Sequence, residues 1–77
     1  MKVVRSQFKQ LLAQKAEREG REISVRMAWR ESGVSKRVAY GMANGTLREY
    51  PGEAMAQLCA YLGCELGDLL KLEEVAQ

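Results

Sequence analysis

A chain of 77 residues has room for one domain and a small core. With no histidine and only two cysteines, Cys59 and Cys64, it can neither close a Cys/His zinc site nor activate a nucleophile with an imidazole base. The net charge of +2 hides an asymmetry: residues 1–48 carry eleven Lys/Arg against four Glu, and residues 49–77 one Lys against six Asp/Glu. A basic first part points to a polyanionic partner.

The start, Met1-Lys2-Val3-Val4-Arg5, lacks the apolar run of a secretory signal. No stretch reaches the roughly 18 apolar residues of a membrane helix. The expected location is therefore the cytoplasm, with both thiols free and used for packing.

In chain order, Val4, Phe8, Leu11 and Leu12 recur at helical period and predict a first helix from about Ser6 to Glu17 or a little beyond, closed by Gly20. The charged run 17–22 reads as a frayed end and a loop. Ser24 is a good N-cap for a second helix, in which Val25, Ala28, Trp29 and Ser32 share a face. Trp29 is expected in the core. Gly33 ends that helix, Val34 enters the core from the turn, and Ser35 caps a third helix over 36–43 with Ala39 and Met42 inward. Asn44-Gly45 stops it; no alternating pattern flanks the pair to make it a hairpin. After a loop with Arg48, Tyr50 and the lone Pro51, a fourth helix runs from about Gly52 to Leu62, with Met55, Leu58, Cys59 and Leu62 inward and Gly63 at its end. A short fifth helix begins near Glu65 and carries Leu66, Leu69 and Leu70, with Glu65 and Asp68 favourably placed in its first turn. Val3-Val4 and Leu72 to Val75 are weak candidates for two short paired strands.

The most informative stretch is 24–45, two short amphipathic helices around a Gly-Val-Ser turn. Gly33-Val34-Ser35-Lys36-Arg37-Val38-Ala39-Tyr40-Gly41-Met42-Ala43-Asn44-Gly45 resembles the second half of the Cro/repressor-type (xenobiotic-response-element family) helix-turn-helix. That pattern reads Gly, aliphatic, Ser, three variable positions, aliphatic, two variable positions, aliphatic, one variable residue, then Asn-Gly. Leu58-Cys59-Ala60-Tyr61-Leu62-Gly63-Cys64-Glu65-Leu66-Gly67-Asp68-Leu69-Leu70 is similar to the end of a compact subfamily of these regulators. Three features depart from the pattern: Trp29 where a small alanine is usual, Ala39 where Ile or Val is usual, and a longer link between the first two helices. Gly41, inside the third helix, would admit DNA or another helix to close approach.

The resemblance implies an all-α, five-helix, lambda-repressor-like DNA-binding domain spanning 1–77. The recognition helix, 35–43, would enter the major groove of double-stranded DNA. Bases would be read by Lys36, Arg37, Tyr40 and Gly41, and the backbone held by Ser24, Arg26, Ser35, Thr46 and Arg48. The implied protein is a bacterial or phage-type transcriptional regulator, nucleoid-associated, with no cofactor, no metal and no enzymatic activity. Glu73 and Glu74 in the tail are a poor setting for acid–base work, and no phosphate-cradling glycine loop is present. A homodimer is expected through the apolar C-terminal end: Leu66, Leu69, Leu72 and Val75, with Leu70 beside them. The alternative is a protein-interaction module on the same fold, antitoxin-like or a regulator subunit, suited by that acidic, apolar end.

Overall fold

Phe8 and Leu12, one helical turn apart, are both buried and anchor the first helix to everything that follows. The computed structural model describes residues 1–76. Its elements run β1 (Lys2–Ser6), α1 (Phe8–Glu19), α2 (Val25–Ser32), α3 (Lys36–Asn44), α4 (Gly52–Leu62), α5 (Leu66–Leu69) and β2 (Leu70–Glu74).

The helices form where the local signals ask for them. Ser24 Oγ accepts from Met27 N–H at 3.1 Å, and Ser35 Oγ accepts from Val38 N–H at 3.2 Å, so α2 and α3 each begin on a serine cap. α1 starts later than expected. Ser6 belongs to β1, and its hydroxyl accepts from Phe8 N–H at 3.2 Å. α1 ends at Glu19, a little beyond Glu17, before Gly20, and its charged end is held in place by Lys15 pairing with Glu19 one turn on and by Arg21 tied down beyond it.

Ala28, Ala39, Leu58 and Leu69 are fully buried, with Val34, Val38, Met42, Met55 and Leu62 closing around them. Two expectations change here. Leu69 lies in the core, so it cannot join a surface patch; Leu66 and Leu72, at 53% and 68% exposure, can. Leu70 leaves the fifth helix after a single turn and opens β2. Asp68 shapes that turn by accepting from Glu65 N–H at 3.0 Å.

The fold is not purely α-helical. β1 and β2 pair antiparallel, Val4 opposite Leu72 and Val3 opposite Glu73, joining the two ends of the chain in a ribbon of two five-residue strands. Arg5 bridges to Glu73 at 2.7 Å, and the N-terminal ammonium to Glu74 at 3.1 Å. The ribbon feeds directly into α1 and out of α5, where Gln7 N–H donates to the Leu69 carbonyl at 2.8 Å.

Candidate nucleic-acid interface

The turn between α2 and α3 sets the geometry of the site. Gly33 sits at φ +85°, a conformation L side chains rarely adopt, and its N–H donates to the Trp29 carbonyl at 3.2 Å. Val34 then drops into the core, which fixes the angle at which α3 leaves. On α3, Val38, Ala39, Gly41 and Met42 face inward. That leaves Lys36, Arg37 and Tyr40 on the outer face, Tyr40 at 37% exposure. No acidic residue interrupts this helix.

The expected backbone-contact residues divide between two places. Ser24, Arg26 and Ser35 are exposed at the starts of α2 and α3. Both serine hydroxyls accept the caps of their own helices, so what they can offer an anion is the remaining N–H groups of each first turn. Thr46 and Arg48, also exposed, follow the far end of α3. A nine-residue helix is about 13 Å long, so these two serve a different point on any rod-like partner than Lys36 does.

Gly41 does not fit the expected role. It is buried, and a Cβ built there would meet Leu47 Cγ at 2.5 Å. Its missing side chain makes room for the loop after α3, and offers no surface to a ligand. Trp29 is corrected as well. Ala28 takes the fully buried position and Trp29 packs half-buried against the core edge, with its Nε1 lacking a partner among the described residues. Arg30 lies over the ring at 5.6 Å. The small residue needed where α2 and α3 pack is therefore supplied one position earlier than expected.

Among the described residues, Arg26, Lys36, Arg37 and Arg48 enter no ion pair, whereas Arg5, Lys15 and Arg21 do. Arg21 is the centre of a closed ring that no local spacing reveals. Its guanidinium holds Glu31 through two bonds of 2.8 Å and Glu19 through a third of 2.8 Å. Tyr61 Oη donates to Glu31 at 2.6 Å, Lys15 Nζ sits 4.5 Å from the Tyr61 ring centre, and Lys15 pairs with Glu19 at 2.7 Å. The ring ties α1, the α1–α2 loop, α2 and α4 together. Arg21 and Tyr61 hold the Glu31 carboxyl down at about 2. Burial, and the bond to Glu31, push the Tyr61 phenol up to about 12. Arg21 and Glu31 stand ten residues apart and Glu31 and Tyr61 thirty, so no helical spacing could have revealed them.

Cys59 and Cys64 are free and half-buried; burial, then the neighbouring Cys59, pushes the Cys64 thiol up to about 11, far from a reactive thiolate. Among the described residues no cluster of Cys, Asp and Glu could hold a metal ion, and no helix is long and apolar enough to cross a membrane.

A family model described as the Cro/C1-type HTH DNA-binding domain matches residues 9–74. No curated protein and no solved structure matches the chain.

Proposed function

Since the chain belongs to the Cro/C1-type HTH DNA-binding domain family, we propose that it is a sequence-specific binder of double-stranded DNA, acting as a small transcriptional regulator with α3 in the major groove. The observation that carries this reading is the unpaired, acid-free outer face of α3, where Lys36, Arg37 and Tyr40 stand exposed. Arginine and lysine can reach the guanine O6 and N7 acceptors from such a face. Ser24, Arg26 and Ser35 at the helix starts, with Thr46 and Arg48 beyond the far end, would then hold the phosphates on either side. No step of this function calls for a cofactor, a metal or catalysis.

One module reads few base pairs, and two-fold symmetry is the common remedy in helix-turn-helix proteins. A homodimer through the C-terminal end completes the proposal, with Leu66, Leu72 and Val75 as its surface and Leu69 now excluded by burial. The same exposed leucines in an acidic half favour the second reading, a protein-interaction module.

Selection of sites from a random duplex pool by the purified protein, followed by titration at several salt concentrations, tests the proposal. An enriched sequence with affinity falling steeply as salt rises is the expected result. Absence of enrichment together with salt-independent, weak binding would favour the interaction module.

A further inference from the structure

The ribbon of β1 and β2 is unfinished. An isolated two-stranded sheet is marginal in water, and this one exposes Val4 at 43% and Leu72 at 68%. The two are directly opposite each other, so they lie side by side on one face. Both outer edges are open among the described strands.

The register says which backbone groups those edges present. Gln7 N–H donates to the Leu69 carbonyl and Val75 N–H to the Met1 carbonyl, at 2.8 and 2.9 Å. With Val4 opposite Leu72, these bonds put the ladder on the odd-numbered residues of β2. Leu72 and Glu74 therefore turn their N–H and C=O outward. The N–H of Leu70 is already taken by the Leu66 carbonyl.

From this geometry we propose that β2 is the homodimer joint: two copies pair their β2 strands antiparallel about a two-fold axis at Leu72, making a four-stranded sheet in the order β1-β2-β2-β1. The proposal rests on the dimer reading above and specifies its surface. The β2 sequence, Leu70-Lys71-Leu72-Glu73-Glu74, is self-complementary in this register. Leu72 meets Leu72 of the second copy, and each Lys71 faces Glu73 of the second copy. The outward backbone groups of Leu72 face their equivalents, as a hydrogen-bonded pair requires. The apolar face becomes a continuous stripe of Val4, Leu72, Leu72 and Val4.

Charge selects this edge and this partner. Within one chain Lys71 lies opposite Arg5, an unfavourable like-charge neighbour, and Lys71 enters no ion pair among the described residues. The second copy's Glu73, already bridged to Arg5 of its own chain, would share its carboxylate with Lys71. The same operation on β1, centred on Val4, would set Val3 against Arg5 and Lys2 against Ser6, with no opposite charges matched.

Sedimentation of the full chain over a concentration series tests the joint, with wild type beside Lys71→Glu and Lys71→Glu/Glu73→Lys. Wild type should dimerise. Lys71→Glu places a carboxylate opposite Arg5, so each chain keeps its ribbon, while glutamate now meets glutamate twice across the joint. Its dimer dissociation constant should rise on the order of tenfold, with a melting temperature no lower than that of wild type under conditions where both proteins are monomeric. The double variant should restore the dimer. A wild-type protein that stays monomeric overturns the proposal. So does a dimer indifferent to Lys71→Glu, which would place the joint elsewhere, as in the groove of about 360 Å³ between Tyr50, Met55, Leu66 and Leu70. Duplex binding, measured separately, keeps the two readings apart: a monomer that binds DNA removes only the joint, and a charge-sensitive dimer that ignores DNA supports the joint and removes only the DNA reading.

Discussion

At position 41 two residue-level forces oppose each other. Alanine is worth about 1 kcal/mol over glycine inside a helix, yet a Cβ here would press within 2.5 Å of Leu47 Cγ. Overpacking of this kind costs about 1–3 kcal/mol, so Gly41→Ala should lower the stability, and Leu47→Ala in the same chain should recover part of the loss. A thermal melt series checks this; a raised melting temperature for Gly41→Ala alone would mean that helix propensity wins and the loop yields freely. The loop in question carries Thr46 and Arg48, so its seating bears on the candidate phosphate contacts. Among those contacts the roles of two arginines should differ. Arg37→Ala is expected to cost about 1–3 kcal/mol at the selected site and to relax the preference at one base, while Arg48→Ala weakens every sequence alike. Binding isotherms on matched and mismatched duplexes separate the two, and equal behaviour of the variants would remove the assignment of Arg37 as a reader.

Between elements, the ring of Lys15, Glu19, Arg21, Glu31 and Tyr61 sets how α2 is held against α1 and α4. Its pH window follows from its pKa shifts. The Glu31 carboxyl is depressed in the fold to about 2 from 4.5, so its contribution is complete above about 4.5 and is lost as pH falls towards 2. The Tyr61 phenol is raised from 10 to about 12, so its contribution is complete below about 10 and is lost as pH rises towards 12. Melting temperatures should therefore fall off on both sides of that plateau, and Tyr61→Phe should flatten the alkaline fall while leaving most of the acid one. An alkaline fall unchanged in Tyr61→Phe would show that groups other than the Tyr61 phenol produce it. This element-scale link is also where the sequence fell silent. α2, α3 and α4 were readable because serine caps, glycine ends and apolar periodicity are all local. The ribbon gave only a faint signal, since five-residue strands far apart in the chain have no spacing that ties them together. Ala28 and Trp29 share one helix face, and only the neighbouring elements decide which of them goes deeper. Likewise Gly41 reads from its spacing as an opening towards DNA, because Leu47, the residue that fills the space, is named by the fold alone.

For the molecule as a whole, the separation of charge limits how it can sit on a polyanion. α3 carries Lys36 and Arg37 with no acidic residue, whereas the ribbon sets Lys2, Arg5 and Lys71 among Glu73 and Glu74, so α3 is the face that should turn towards DNA. Joining two copies at β2 then leaves both α3 faces free. This arrangement has a measurable consequence in salt. The logarithm of the binding constant falls with the logarithm of salt at about 0.9 per phosphate neutralised. If Arg26 and Arg48 of each chain neutralise phosphates, a dimer on two half-sites should show a slope of about −4, and a single chain on one half-site about −2. Wild type on a duplex with both half-sites should give the steeper value. Lys71→Glu, weakened at the joint and titrated below its own dimerisation range, should give the shallower one on the same duplex, because each binding event then neutralises half as many phosphates. The variant changes no residue of the α3 face, so its slope reports the number of chains per event rather than damage to the reader. Equal slopes for the two proteins would mean that one chain is the DNA-binding unit, and the asymmetry of charge would then have to be explained by a partner other than a second copy.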